Sequence, residues 1–311
     1  MNPTADSLFH FTRCSRIFRF ILERGLRYSF SFEPFQESVI SNILASGCLV
    51  NISDDSYDMY RGIAIPMVSF CDIPLLRIGP HSQKYGEYAI GINKRALSEL
   101  YGSCINPVFY ADSKSLYRAL KFISCSQGQT LRFVALFKRL KRHYPNIEEC
   151  VKSSGFVSTA VEYTSELNHC IQTFASLFKP TYGTNVYGQE ECFYDEHEWR
   201  AIKPNSPNTE FEWKIGVTRD IFLSIKDDLN MALDNSAEAF LTIPTNMFDI
   251  VTNIIVPKEK DARSVIDFIF RNEKLFGSTY ITKEQRLILI SKVTSFERIN
   301  NLSFASNGFL R

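Results

Sequence analysis

The run CFYDEHEWRAI, at Cys192–Ile202, holds the densest set of side chains able to do chemistry. Side chains alternate between the two faces of a β-strand. A strand here places three charged residues on one face and two aromatic residues on the other: Glu196, Glu198 and Arg200 against Phe193 and Trp199. Neighbouring carboxylates repel, so such a face suits a cleft that holds a cation or steadies a developing positive charge. A surface helix with a Glu196–Arg200 ion pair is the alternative.

A second set of candidates lies far away in sequence: His10, Thr12, Phe70, Tyr85 and Tyr88. Cleaving the N-glycosidic bond of NAD requires a polar group for the ribose and carboxamide and an aromatic ring to stack on nicotinamide. It also requires a carboxylate to stabilise an oxocarbenium-like transition state. These residues, with Glu196 and Glu198, supply such parts if they converge. The alternative for His10 is a hydrogen-bonded structural role, and for the tyrosines it is core packing.

Composition sets limits on these hypotheses. The chain has 311 residues, enough for one large or two ordinary domains. Lys plus Arg total 35 and Asp plus Glu total 34, so any binding of nucleic acid must rest on a local patch. The eight cysteines are scattered, and no apolar run reaches membrane-spanning length. We therefore expect a cytoplasmic protein that does not enter a membrane and carries no signal peptide.

No metal site is expected. Cys71 and His81 are conceivable ligands, but no second pair at suitable spacing completes a zinc site. Asp72 and His81 flank a loop between two strands, where functional residues concentrate. The alternative for Asp72 is a turn residue that bonds its own backbone.

The elements that must position these residues follow from periodicity and capping signals. Predicted strands are Ser7–Thr12, Ile65–Leu75, Tyr88–Ile92, Asn106–Tyr110, Cys192–Ile202, Thr209–Val217, Ile250–Val256 and Leu287–Val293. Three helices are predicted. The first is capped by Ser15 and ends at Gly25, the second follows the cap Asn93 and ends near Gly102, and the third spans Ala262–Arg271. Ser29–Ile63 is predicted as a loop with one short helix at Val39–Leu44.

A helical block interrupts the strands, and we assign it to about residues 113–187. The sequence therefore predicts an α+β fold, one domain over residues 1–311, with strands at both ends and this helical insertion between them. Within the block, one helix carries the densest basic patch: Lys138, Arg139, Lys141, Arg142 and His143. This patch is a candidate footprint for RNA or DNA phosphates, and a solvated helix face is the alternative.

Two resemblances bear on these residues. LFHFT followed by FRFILERGL resembles the opening of ADP-ribosyltransferase folds of the poly-ADP-ribose polymerase-like and DarT-like branches. The spacing of Glu196 and Glu198 resembles the Glu-x-Glu pair of arginine-modifying members. The blocks LFHFT, IPMVSFCDIPL, HSQKYGEYAIGIN, NPVFY and FYDEHEWR, in that order, resemble AbiGi, an abortive phage-infection family labelled an antitoxin.

The transferase resemblance implies a mixed β core and residue roles in an NAD site. His10 would contact the NAD ribose, Thr12 would support the pocket, Glu198 would be the catalytic carboxylate, and Glu196 would orient the acceptor or act as general base. Arg200 would pair with a carboxylate or hold the pyrophosphate, and Arg13 and Arg16 would contact phosphate. Phe70, Tyr85 and Tyr88 compete for the stacking position. Phe11 departs from the family, because polymerase-like members have Gly there.

Three functions follow from these resemblances. The first is an NAD-dependent ADP-ribosyltransferase toxin of a phage-defence system, with NAD as substrate and RNA, rather than DNA, as the preferred acceptor. The second is a non-catalytic antitoxin that binds a partner toxin encoded beside it. The third is an NAD glycohydrolase that uses the same pocket with water as acceptor.

Overall fold

The computed structural model describes residues 6–34, 61–112, 115, 176–184 and 189–301, apart from 205, 207 and 237. Its strands are β1 Ser7–Thr12, β2 Leu26–Arg27, β3 Ser29–Pro34, β4 Arg61–Cys71, β5 Tyr88–Asn93, β6 Ile105–Pro107, β7 Phe109–Ala111, β8 Phe178–Pro180, β9 Tyr182–Thr184, β10 Glu190–Cys192, β11 Glu198–Ile202, β12 Lys214–Thr218, β13 Phe240–Leu241, β14 Val251–Val256 and β15 Val293–Ser295. Its α-helices are α1 Ser15–Arg24, α2 Gly79–Tyr85, α3 Lys94–Tyr101, α4 Arg219–Asp234, α5 Glu259–Arg271 and α6 Lys283–Ile290.

A nine-stranded mixed sheet organises the described part of the chain. Its main path runs β15-β14-β5-β1-β4-β11-β6, and β3 and β12 also pair with β4. All of these pairs are antiparallel except β14 with β15. The mixed sheet and the helices packed on it confirm the predicted α+β class.

Strand β4 is central to the sheet because it pairs with two strands along each of its edges. On one edge β11 pairs with Met67–Cys71 and β12 with Arg61–Ala64. On the other edge β3 pairs with Gly62–Met67, while β1 pairs only through Phe9 and Cys71. Residues 68–70 therefore lie between the ends of β1 and β3 without a strand partner on that edge. The sheet opens there.

The two faces of the sheet bury different cores. The larger core contains Leu8 and Phe70 from the strands and receives α1 through Phe18, Ile21 and Leu22. The smaller core lies on the opposite face and contains its own set of apolar residues: Phe9, Cys71, Ile73, Ile78, Ala89, Ile255, Phe296 and Ile299. Successive residues of β1 thus serve different cores, as strand alternation requires.

Several predicted elements are confirmed. The first strand is β1, and the first helix ends at Gly25, whose φ of 102° suits a residue without a side chain. Asn93 caps α3 by accepting a hydrogen bond from the Ala96 N–H at 2.9 Å. The predicted elements at Ile250–Val256 and Ala262–Arg271 correspond to β14 and α5.

Other predictions are wrong. Leu287–Val293 is mostly the end of α6, because an apolar run of this length fits a buried helix as well as a strand. Ser29–Pro34 is a strand rather than a loop. The predicted insertion ends too late, since residues 178–180 and 182–184 are strands. The short helix at Val39–Leu44 and the block at 116–175 lie outside the described residues.

None of the helices in the described ranges combines the length and the apolar character needed to cross a lipid bilayer.

Candidate functional site

A cleft of about 390 Å³ lies where the sheet opens between β1 and β3. Its charged wall residues are Glu33, Lys84, Lys179, Glu191, Glu196, Glu198 and Lys226, and its aromatic wall residues are Phe9, Phe11, Phe30, Phe32, Phe70, Tyr85, Phe193 and Phe222. His10, Ser69 and Cys71 also line it. Among the predicted site residues, the cleft thus brings together His10, Phe70, Tyr85, Glu196 and Glu198.

Glu198 forms the inner wall of this cleft from strand β11, and Arg200 of the same strand lies behind it. They pair in register with Cys71 and Ser69 of β4, so the four side chains share one face of the sheet. Arg200 is completely buried and donates to Glu198 twice, from Nε at 2.9 Å and from Nη2 at 3.0 Å. It also donates to the Ser176 carbonyl at 2.6 Å. Arg200 therefore pairs with a carboxylate, and its place is behind the cleft wall.

Two further charged residues join this inner wall. Arg200 Nη2 lies 2.8 Å from Glu33 Oε1, on β3. Lys179, from β8, donates to Glu198 Oε2 at 3.0 Å and to Glu196 Oε2 at 2.8 Å. We refer to Glu33, Lys179, Glu198 and Arg200 as the inner group. Sequence reasoning missed Glu33 and Lys179, since no local pattern marks either residue as the partner of a distant charge.

The acceptor capacity of Glu198 is fully used. Its Oε1 accepts from Ser69 Oγ at 2.8 Å and from Arg200 Nε, and its Oε2 accepts from Lys179 Nζ and Arg200 Nη2. A carboxylate has about four acceptor positions. A substrate hydroxyl could bond Glu198 only by displacing one of these donors.

Glu196 belongs to a second, more open set of contacts. Its Oε1 accepts from Lys84 Nζ at 2.9 Å and from the Tyr85 hydroxyl at 2.8 Å. Lys84 also contacts Glu191, and its Nζ lies 4.9 Å from the centroid of the Tyr85 ring. We call Lys84, Tyr85, Glu191 and Glu196 the outer group. Lys179 links the two groups because it contacts both Glu196 and Glu198.

The backbone around Glu196 corrects the prediction of one continuous strand. Phe193–Glu196 is a turn of 3-10 helix, and His197 adopts φ 45° and ψ 46°, a left-handed conformation that interrupts strand alternation. Glu196 and Glu198 therefore reach the cleft from different elements. The two aromatic residues predicted to share a face are also separated. The centroid of the Phe193 ring lies 4.8 Å from Lys179 Nζ, while Trp199 packs on the larger core.

Gly86 fixes the position of Lys84 and Tyr85 at the end of α2. Its φ is 118°, and a Cβ there would lie 2.4 Å from the backbone of Thr12. A side chain would both strain the backbone and clash with β1. The close approach of α2 to β1 through Gly86 holds the outer group over the cleft.

Charge pairing sets the protonation states of the carboxylates. Burial raises the pKa of the Glu198 carboxyl, but Arg200 and Lys179 outweigh it and hold that pKa well below its ordinary value. The same balance, led by Lys179, lowers the pKa of Glu196. For Lys179, burial lowers the pKa, and the three surrounding glutamates more than reverse that effect. The cleft thus holds ionised, mutually paired groups.

Tyr85 and Cys71 stay protonated beside these carboxylates. Burial, with the nearby Glu196 charge, raises the pKa of the Tyr85 hydroxyl, which keeps it a hydrogen-bond donor. Burial and the charge of Glu198 raise the pKa of the Cys71 thiol to about 12. A thiol with such a pKa is a poor nucleophile near neutral pH.

His10 lies at the opening of the sheet but on the face opposite Glu198. Its Nδ1 lies 2.9 Å from the Ser69 carbonyl, so Nδ1 carries the proton and Nε2 is left as an acceptor. Ser69 is among the residues of β4 without a strand partner on this edge, and the imidazole supplies the bond a strand would give. Burial lowers the pKa of His10, against the effect of this hydrogen bond.

Two predicted cofactor contacts lie away from the cleft lining. Thr12 is buried, and its Oγ1 accepts from the Cys14 N–H at 3.4 Å. The centroid of the Tyr88 ring lies 5.1 Å from the centroid of the Phe18 ring. Of the aromatic residues that competed for the stacking position, Phe70 and Tyr85 line the cleft.

The remaining candidates have separate environments. Lys94 Nζ lies 2.8 Å from Asp72 Oδ2, and His81 stands in α2 between the rings of Phe11 and Tyr85 rather than in a loop. Arg13 donates to the Lys84 carbonyl, while Arg16 is exposed. The predicted nucleic-acid contacts lie outside the described residues: Lys138, Arg139, Lys141 and Arg142.

Comparison with known proteins agrees with the second of the two sequence resemblances. The chain is 25% identical to the abortive phage resistance protein AbiGi of Lactococcus lactis subsp. cremoris in a 249-residue alignment that covers 76% of this chain and 87% of that protein. No solved structure matches the chain. A family model described as "Putative abortive phage resistance protein AbiGi, antitoxin" matches residues 42–240. Because this match spans more than half of the chain, the protein belongs to the AbiGi family.

Proposed function

We propose that this protein acts in phage defence as an antitoxin, a non-catalytic protein that binds and restrains a toxin encoded beside it. The family description and the name of the lactococcal relative support a role in abortive phage resistance. The word antitoxin in that description supports the binding role and a protein partner.

The observation that carries the non-catalytic role is the saturation of Glu198. As the catalytic carboxylate of the predicted transferase, Glu198 would need acceptor capacity that is free for the reacting group. The hydrogen-bond acceptor positions of Glu198 are all filled by Ser69, Lys179 and Arg200. Arg200 is buried where a substrate pyrophosphate does not reach it. The inner group therefore serves as a rigid ionic frame for the cleft walls.

Paired expression tests this function. We expect the protein alone to leave bacterial growth unchanged, the neighbouring gene product alone to arrest growth, and the two together to restore growth. The tagged protein should also co-purify with that gene product. Growth arrest by the protein alone, relieved by Glu198→Gln, would contradict the antitoxin role.

A second function, NAD-dependent ADP-ribosyl transfer, is favoured by the convergence of His10, Tyr85 and Glu198 at one cleft. These are the parts that the sequence predicted for an NAD site, with Phe70 as the second aromatic residue. Lys179 would have to leave Glu198 Oε2 for a ribose hydroxyl to bond there. The acceptor in this hypothesis is nucleic acid, with RNA preferred over DNA.

Labelled NAD tests the second function. The protein is incubated with labelled NAD and with separate RNA, DNA and protein fractions. Label in one fraction, lost in Glu198→Gln and kept in Glu238→Gln, supports transfer. Glu238 is a suitable control because it pairs with Lys203 on the exposed surface. Free ADP-ribose without a labelled macromolecule indicates NAD hydrolysis instead, and unconsumed NAD contradicts both reactions.

A further inference from the structure

The outer group holds its cation differently from the inner group. Lys84 keeps 38% of its side chain exposed while it pairs with Glu191 and Glu196. The cations of the inner group are far less exposed, with 11% for Lys179 and none for Arg200. Lys84 is therefore the cation of the cleft that regains hydration most readily when it turns away from its partners.

The residues around Lys84 favour a cation at its position. Its Nζ contacts the carboxylates of both Glu191 and Glu196. Withdrawing Lys84 removes a cation that these two carboxylates share. The face of the Tyr85 ring under Lys84 adds the negative quadrupole that attracts ammonium and guanidinium groups.

We propose that Glu191, Glu196 and Tyr85 form a binding site for an ammonium or guanidinium group, and that Lys84 fills this site as an internal substitute in the free protein. The incoming cation takes the position of the Lys84 Nζ between the two carboxylates and above the ring. Lys84 turns outward to solvent. The exchange keeps the charge of the site constant, and Glu196 keeps its contact with Lys179 throughout.

The source of this cation, on the basis of the proposed antitoxin function, is a lysine or arginine side chain of the partner toxin. Glu191 lies on β10, which pairs with β9 through Cys192 and Tyr182. Tyr182, on β9, and Tyr194, in the turn that follows β10, are 72% and 53% exposed. Exposed tyrosines beside an acidic site are typical of surfaces that bind a protein through a basic anchor residue.

The site itself is tested without the partner. The probe is N-acetyl-arginine-methylamide, which presents a guanidinium without terminal charges, and its binding is followed by NMR titration. We expect Lys84→Met to bind the probe about fivefold more tightly than the unaltered protein, because the internal competitor is gone. Adding Glu196→Gln to Lys84→Met should remove that gain. Equal affinity of Lys84→Met and the unaltered protein would overturn the proposal.

Lys203→Met is the matched control. Lys203 also pairs with a glutamate, Glu238 at 2.8 Å, and lies 5.3 Å from the ring centroid of Tyr28, but it does not line the cleft. Its removal should leave probe binding unchanged. A gain equal to that of Lys84→Met would overturn the proposal, because the effect would then be general to surface lysines. Thermal unfolding of each variant verifies that it is folded.

Two further measurements separate the source of the cation and the two proposals. Spermidine binding to Lys84→Met much more tightly than the arginine probe would overturn a partner side chain as the source in favour of a free polyamine. Partner binding that is unaffected by Glu196→Gln would overturn this inference and leave the antitoxin function standing. Probe binding enhanced by Lys84→Met, with no complex formed by the neighbouring gene product, would contradict the antitoxin function and retain the cation site.

Discussion

The inner and outer groups of the cleft use the same chemistry under different solvation. Both join glutamates to basic side chains, and Lys179 contacts both. In the inner group, Arg200 is fully buried and Glu198 has every acceptor position filled. In the outer group, Lys84 is more than one-third exposed, while its partner Glu196 is mostly buried.

This difference teaches that an ion pair can be either a framework or an exchangeable contact. A buried charge without its partner keeps its desolvation cost, so the inner group holds β3, β8 and β11 together. An exposed cation recovers its hydration when it leaves, so the outer group can change partners. The following predictions probe that difference, from the largest expected effect to the smallest.

Arg200→Met should have the largest effect. It leaves Glu33 and Glu198 buried without their main cation, and we expect a loss of about 3–5 kcal/mol in the free energy of unfolding, measured by urea titration. Arg95→Met is the control, since Arg95 and its partner Glu99 are mostly exposed and their pair should contribute below about 0.5 kcal/mol. A loss below about 1 kcal/mol in Arg200→Met would contradict the framework role.

Acid should destabilise the protein through Glu198. Its pKa in the folded protein is lowered from 4.5, so the unfolded chain takes up a proton first as the pH falls. The stabilisation is present above pH 4.5 and is lost progressively below it, with a slope of up to about 1.4 kcal/mol per pH unit for this group. Urea titrations at a series of pH values in this range should show that the free energy of unfolding falls less steeply with decreasing pH in Glu198→Gln than in the unaltered protein. An identical slope would mean that the pKa of Glu198 is not shifted.

His10 should add a smaller effect nearer neutral pH. Because burial lowers its pKa in the folded protein, the unfolded chain binds a proton first as the pH falls below 6.5. Stability should therefore decrease as the pH falls from 6.5 towards the lower folded-state pKa. His10→Gln should remove this decrease while its amide still donates to the Ser69 carbonyl. His81→Gln is the comparison, because burial also lowers the pKa of His81.

Lys84→Met should have the smallest effect on stability. Because Lys84 is partly exposed and Glu196 keeps Lys179, we expect a change below about 1 kcal/mol in the free energy of unfolding, similar to that of Lys203→Met. A loss as large as that of Arg200→Met would show that the outer group is also a framework, and would argue against an exchangeable cation.

Local signals predicted the elements that begin and end at recognisable residues. Gly25 closes α1 and Asn93 caps α3 because a left-handed backbone and a side-chain cap are properties of a few neighbouring residues. The prediction of one continuous strand at Cys192–Ile202 was wrong because no local signal marks the break in it. His197 takes a left-handed conformation that its residue type does not announce, so Glu196 and Glu198 lie on different elements.

The sequence by itself determined the α+β class, the main strands and the membership in the AbiGi family, because periodicity, caps and sequence blocks that resemble the family are read along the chain. It also singled out the carboxylates Glu196 and Glu198. Only the tertiary structure decided their partners: Lys84 of α2 contacts Glu196, Lys179 of β8 contacts both carboxylates, and Arg200 joins Glu198 to Glu33 of β3. The physical reason is that a carboxylate does not specify which cation neutralises it. That choice is made by which side chains the opening between β1 and β3 brings within reach, and by how much water each one keeps.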